Sequence, residues 1–311
     1  MATVSRRSMQ DRPRPSAARH SSTSVANMLS MIIGVLGKGG SGKTTVSTQL
    51  ALALHERSSR LLAVDADHNM DFAFNLTGGE IPSSMRFISG SLPAMREHVG
   101  LPADAGYADA LLSGSTARFR LSPPDPVTHL YATSVRDGML LMAAGPQTDD
   151  VLYGKSCSHS LTTPLKVYLP LLDLASGETV VVDEKAGADG VSTGIVTGID
   201  VAVIVCEAAV HSVKTARQIA DLLKFYDTPY LFVVNKAQSE SDVSYVTDML
   251  GEQPIAALSF ADDIRRHPFD ASATLSVQIE SVIERCRTAA RNDRLERSVR
   301  KFTRNKEYQG Q

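Results

Sequence analysis

The chain has 311 residues, 43% of them hydrophobic, and a formal net charge of −2. This length accommodates one or two domains of about 150 residues, or one large α/β domain, and so apolar a composition excludes a globally disordered chain. No apolar run approaches the roughly 20 residues that cross a bilayer, which excludes a helical integral membrane protein. Three cysteines, Cys157, Cys206 and Cys286, exclude a disulfide framework and fit a reducing, cytoplasmic compartment. The small net charge sums unlike parts. Residues 1–30 carry five Arg and one Asp, residues 285–311 carry nine Lys/Arg and three Asp/Glu, and the body between them is −12.

Residues 1–30 are Arg/Ser-rich with little apolar periodicity, which predicts a disordered basic tail. Three readings of this segment stand side by side: a plain tail, a start codon set upstream of Met28 or Met31, and a targeting segment whose composition resembles a mitochondrial transit peptide. It lacks the continuous apolar stretch of a secretory signal.

From Met31 onward the pattern changes. Residues 31–36 form a short apolar run leading into glycines, as a buried strand entering a loop does. Helical spacing of Val46, Leu50 and Leu54 predicts a helix over 44–57. Further strands are expected at 61–64, 139–143, 180–182, 201–206 and 230–234, with a helix over about 212–226. Residues 77–137, rich in Gly, Pro and Ser, show only short helices near 92–99 and 107–113. Apolar strands without polar alternation, separated by helices, predict an α/β fold: a doubly wound, mostly parallel sheet with helices on both faces. Such folds bind ligands at the carboxyl ends of their strands. Lys43, Asp65, Asp67, Asp183 and Asn235 all fall there.

Gly37-Lys38-Gly39-Gly40-Ser41-Gly42-Lys43-Thr44 fits G-x-x-x-x-G-K-[ST] in the strand–loop–helix context that the motif requires. Glycines let successive backbone N–H groups turn inward around phosphate oxygens, and the following helix presents its positive end to the same anion. Lys43 is positioned as a point charge for the β/γ-phosphates, and the Thr44 hydroxyl as a ligand of Mg²⁺. Lys38, which an ordinary phosphate loop does not need, together with Thr45 extends the stretch to Lys-Gly-Gly-Ser-Gly-Lys-Thr-Thr. This resembles the signature of the deviant Walker A ATPases, the ParA, MinD and nitrogenase iron protein family. The resemblance implies a P-loop ATPase domain over residues 31–287 that dimerises around ATP, with Lys38 reaching the partner's phosphates in the manner of an arginine finger.

The same resemblance assigns the segment Asp65-Ala66-Asp67-His68-Asn69 as a switch, with Asp67 orienting the attacking water and Asp65 near the metal; His68 stands where the family usually has proline. Asp183 matches the Walker B position. Asp183-Glu184-Lys185-Ala186-Gly187 fits the second switch, where Gly187 would let a backbone N–H approach the γ-phosphate. Asn235-Lys236-Ala237-Gln238 lacks the acid that accepts from guanine, which favours ATP with Asn235 on the base.

Among subfamilies, these segments and Gly198-Ile199-Asp200 look most like the carbon monoxide dehydrogenase maturation ATPases, which deliver nickel to a metal cluster. Those enzymes carry a mid-chain Cys-x-Cys. This chain has Cys157-Ser158-His159, so a dimer would offer a Cys₂His₂ set to Ni²⁺ or Zn²⁺; two unrelated loop residues are the plainer reading. The partner would be a client metalloenzyme. Cys206 belongs to a strand core, and Cys286 to an amphipathic stretch. The rival subfamily acts on DNA or membrane, and the basic residues 288–311, expected as a C-terminal tail, are its evidence. The plainer reading of that end is a final helix packed on the sheet and followed by a solvated basic tail.

Overall fold

The computed structural model describes residues 30–155, 157–192 and 194–309. The expected N-terminal tail, apart from Ser30, lies outside the described residues. Among the described residues, eight strands form one sheet. They are β1 (Met31–Gly37), β2 (Arg60–Asp65), β3 (Thr133–Arg136), β4 (Met139–Ala143), β5 (Glu178–Asp183), β6 (Val201–Cys206), β7 (Tyr230–Ala237) and β8 (Ala256–Ser259). Their order is β8-β7-β6-β1-β5-β2-β4-β3, parallel throughout except for the antiparallel edge pair β3/β4. A doubly wound, mostly parallel sheet is thus what the strand pattern forms. Two short strands missed in the sequence, Thr133–Arg136 and Ala256–Ser259, close its edges, and Phe119–Arg120 pairs with Leu172–Asp173 in a separate ribbon.

The strands are apolar on both sides because both faces are covered. Along β1 the pleat sends Ile32 and Leu36 into one core cluster and Ile33 and Val35 into the other, all fully buried. Burying each such side chain stabilises the fold by about 1.5–3 kcal/mol. One face is covered by α1 (Lys43–His55) and by Ile279, Val282, Ile283 and Cys286 of Ser276–Ala289. The other is covered by α2 (Ala188–Ser192), α3 (Val210–Phe225) and α4 (Arg294–Gln309) among others. Cys206 and Cys286 are buried core residues, as their positions in the sequence predict.

The C-terminal boundary is a correction. Residues 294–309 are a helix and not a solvated tail. Leu295, Val299 and Phe302 pack against the core cluster. The Arg294 guanidinium donates to Asp200 Oδ1 at 3.0 Å and to the Leu169 and Leu172 carbonyls, which fixes the helix to the amino end of β6. Asp200 also accepts from the Ile32 N–H at 2.8 Å, so the first strand and the last helix share one carboxylate.

Candidate nucleotide-binding site

β1 ends in Gly37, and the chain crosses a tight loop to α1. Ser41 N–H donates to Lys38 O at 3.1 Å. Gly42 holds φ of +89°, where an added Cβ would lie 2.1 Å from Asn235 Nδ2, so both conformation and space require glycine. A side chain at Gly37 would meet the Val205 carbonyl at 2.3 Å. Lys43 is buried at the foot of the helix, while Lys38, Gly39 and Gly40 are exposed. Ser41 Oγ is buried with no hydrogen-bond partner, an orphaned polar atom in a loop built for an anion. Thr45 is half-buried beside Thr44 in the first turn of α1.

The Walker B expectation places Asp183 at the end of β5. There Asp183 Oδ2 accepts from Thr44 Oγ1 at 2.8 Å and Oδ1 from Ser47 Oγ at 2.7 Å. Asp65 is paired in register with Asp183 on the neighbouring strand, so two carboxylates share one buried spot. Burial pushes the Asp183 carboxyl up to about 6, against the pull of the Ser47 and Thr44 hydroxyls and Lys43. Burial and the Asp183 charge raise Asp65 well above the usual carboxylate range. Glu184, also buried, is pushed up to about 8 by burial and by Asp183. Burial and mutual repulsion hold these carboxyls toward their neutral forms; hydroxyl and carboxylate oxygens together are the donor set that Mg²⁺ takes, and a divalent cation would offset the cost of ionising them. Thr44 and Asp183 are the residues that would hold it.

Asp65 serves its own loop as well. Its oxygens accept from the N–H groups of Asp67 at 3.1 Å and Ala73 at 2.8 Å, which braces the 65–69 segment. Asp67 Oδ1 accepts from Asn69 N–H at 3.2 Å and lies 3.6 Å from His68 Nδ1, so the histidine sits against the switch carboxylate. Gly187 has φ of +86°, and its N–H donates to Gly37 O at 2.9 Å. The 183–187 segment is therefore latched to the phosphate loop through the N–H group expected to face the γ-phosphate. Asn235 Nδ2 donates to Ser41 O at 2.9 Å, so the residue expected on the base holds the loop from behind.

Two contributors escaped the sequence reading. Ser47, one turn past Lys43, is a second donor to Asp183; a hydroxyl at that spacing on an apolar helix was the available signal. Lys236 Nζ donates to Gly40 O at 2.9 Å and to Glu207 Oε1 at 2.5 Å, buttressing the loop from β7. Cys157 is exposed and sits at the start of a 3₁₀ turn, Ser158–Thr162, while the His159 side chain lies outside the described residues. Among the described residues no group of three or more His, Cys, Asp or Glu side chains forms a metal site within one chain.

Comparison with known proteins agrees with this geometry. A family model described as the CobQ/CobB/MinD/ParA nucleotide binding domain matches residues 32–275. The carbon monoxide dehydrogenase accessory protein CooC of Rhodospirillum rubrum is 27% identical over 252 residues, covering 78% of this chain and 90% of that protein. An uncharacterized ATP-binding protein of Methanocaldococcus jannaschii is 24% identical over 257 residues, covering 82% of this chain and 98% of its own length. Among solved structures, the septum site-determining protein MinD of Pyrococcus horikoshii, complexed with Mg-ADP, superposes with a TM-score of 0.55 at 16% identity, covering 83% of this chain and 96% of that one. A ParA family ATPase from Chlorobium tepidum gives 0.54 at 16% identity, covering 82% and 96%. Likeness at that identity speaks for the fold. With the family model spanning most of the chain and the phosphate loop, Asp183 and their strands in place, this chain belongs to the CobQ/CobB/MinD/ParA family of P-loop nucleotide-binding ATPases.

Proposed function

We propose that the chain binds and hydrolyses ATP with Mg²⁺, dimerises around the nucleotide, and uses the cycle to mature the metallocentre of a client metalloenzyme. The observation that carries the nucleotide chemistry is the Thr44–Asp183–Ser47 hydrogen-bond set directly below the loop, with Lys43 buried beside it and Lys38 exposed outside it. The similarity to CooC over 90% of that protein's length supports the maturation role.

In this mechanism the loop N–H groups and Lys43 bind the phosphates. Bound Mg²⁺ would supply charge neutralisation on the phosphate oxygens, held by Thr44 and Asp183 with Asp65 behind them. Asp67 orients a water toward the γ-phosphorus, whose bond to the bridging oxygen breaks to release ADP and phosphate. Lys38 of each protomer enters the other's site and stabilises the developing charge. Asn235, expected on the base, instead braces the loop through the Ser41 carbonyl. Loss of the γ-phosphate frees the 65–69 and 183–187 segments, which changes affinity for the partner. Ni²⁺ or Zn²⁺ is cargo, shared by Cys157 and His159 of two protomers in the cytoplasm.

The test has two arms. Lys38→Ala is expected to abolish the ATP-dependent dimer in sedimentation together with turnover; an unaltered ATP-bound dimer removes the in-trans role. A Ni²⁺ or Zn²⁺ titration is expected to lose its site in Cys157→Ser; unchanged stoichiometry ends the cargo reading. The second reading is a partition or positioning ATPase acting on DNA or membrane, and the fold shared with ParA and MinD supports it. Against it, Arg291, Arg294, Arg297 and Arg300 of the basic C-terminus are engaged by acidic partners within the chain.

A further inference from the structure

At the end of the sheet away from the phosphate loop, α4 and the turn after α3 enclose a cleft of about 350 Å³. Its walls carry four cations, Arg297, Arg300, Lys301 and Arg304, against one acid, Asp227. That acid is already engaged: it takes both nitrogens of Arg291 at 3.0 and 3.1 Å and Arg300 at 3.0 Å. Neither Lys301 nor Arg304 has an acidic partner among the described residues. Lys301 Nζ lies over the Tyr226 ring at 4.6 Å. Arg297 is 2% exposed, ion-paired to Asp293 and donating to the Ile199 carbonyl, so it is a wall of the cleft and not a free cation. Burial lowers the Lys301 ammonium to about 8, with nearby Lys166 adding repulsion, and lowers Arg297 to about 10.

With Arg297 matched to Asp293 and Arg300 to Asp227, the cleft keeps a surplus of about two positive charges, on Lys301 and Arg304, and a concave cluster of that sign focuses an attractive field on small anions. Phe225 stands at the rim and is 67% exposed. We infer that this cleft binds a multiply charged phosphate anion, free or carried on a nucleoside, at a site separate from the phosphate loop. The inference goes beyond the ATPase reading and does not depend on it. A short concave cluster of a few cations favours a small anion over the phosphates of a duplex, which need an extended basic stripe. Lys301 Nζ also lies against Gly194, in the turn that follows α2.

The test uses the full chain carrying Lys43→Ala, which disables the phosphate loop, titrated calorimetrically with tripolyphosphate and, separately, with ADP. One site per chain is expected, weakened at least tenfold by Arg304→Gln and by Lys301→Met. If the anion is carried on a nucleoside, ADP binds more tightly than tripolyphosphate despite its lower charge and Phe225→Ala removes that preference; if it is free, the more highly charged tripolyphosphate binds more tightly and Phe225→Ala is without effect. In the wild-type chain, tripolyphosphate is expected to slow acylation of Lys301, read by mass spectrometry, at least fivefold. Absence of binding in the Lys43→Ala chain with no protection of Lys301 overturns the inference, as does affinity that is unchanged in Arg304→Gln and Lys301→Met. A 20-base-pair duplex that binds at least tenfold more tightly than tripolyphosphate and displaces it would replace the small anion with nucleic acid.

Discussion

The Thr44 hydroxyl donates to the Asp183 carboxylate across 2.8 Å, joining the first turn of the phosphate-loop helix to the end of the central strand β5. Because Asp183 is also paired in register with Asp65, the phosphate-loop helix, the end of β5 and the segment that follows β2 meet at this one carboxylate. Any change in charge or donor count at Asp183 is therefore felt at three segments that are far apart in the chain.

Asp183→Asn is expected to lower ATP turnover at least about a hundredfold, since it removes the charge proposed to hold Mg²⁺ beside the loop. Ser47→Ala leaves Asp183 Oδ1 without its donor and is expected to cost about 1–2 kcal/mol of stability with a smaller loss of turnover. Urea unfolding and a phosphate-release assay on the two variants separate the structural contribution from the chemical one.

Two glycines of the loop differ in what a methyl group would meet. At Gly42 it would strike Asn235 Nδ2, whereas at Gly40, also at positive φ, it has open space. Gly40→Ala is expected to cost about 1 kcal/mol through backbone strain alone. Gly42→Ala adds the clash, and nucleotide affinity is expected to fall at least tenfold, measured with a fluorescent ATP analogue. Equal affinities for the two variants would refute the buttressing role of Asn235.

Arg294→Ala would leave Asp200 buried at the junction of β1, β6 and α4 without its nearest cation. A loss of about 3–5 kcal/mol is expected in equilibrium unfolding, as for other broken buried pairs. A solvated tail would lose nothing measurable, so this variant separates a docked helix from a free one.

Lys301 makes the stability depend on pH in the alkaline range. Its folded-state value is lowered to about 8, below the ordinary lysine value, so the unfolded chain binds more protons over that interval. Stability is then expected to rise as pH increases from about 8 toward 10.5, by on the order of 2 kcal/mol after allowing for partial exposure. Lys301→Met should be more stable than wild type at pH 7 and should lack that rise, as thermal unfolding across the range would report.

Legibility in the sequence followed the distance over which each feature acts. The phosphate loop is contiguous, and its eight residues carry their own reasons: glycines for backbone approach, a lysine for charge, a hydroxyl for metal. The buried strands were visible because a parallel sheet covered on both faces leaves them continuously apolar. The edge strands Thr133–Arg136 and Ala256–Ser259 were not visible, being four residues each and only partly buried. Helices Leu92–Val99 and Tyr107–Leu112 could be anticipated, but how residues 77–137 pack could not.

The sequence by itself determined the sheet's strands, the nucleotide loop and the polar residues at the strand ends, because each rests on neighbours within a few positions. Only the tertiary structure decided that Ser47 serves Asp183 from 136 residues away and that Lys236 holds Gly40 across 196. It also brought Asp65 beside Asp183, since strand register is set by packing across the whole sheet. The charge pattern was reinterpreted in the same way. The basic C-terminal end, which composition presented as a tail, is a packed helix whose arginines are largely matched to acids, because burial of Leu295, Val299 and Phe302 sets their position before charge does.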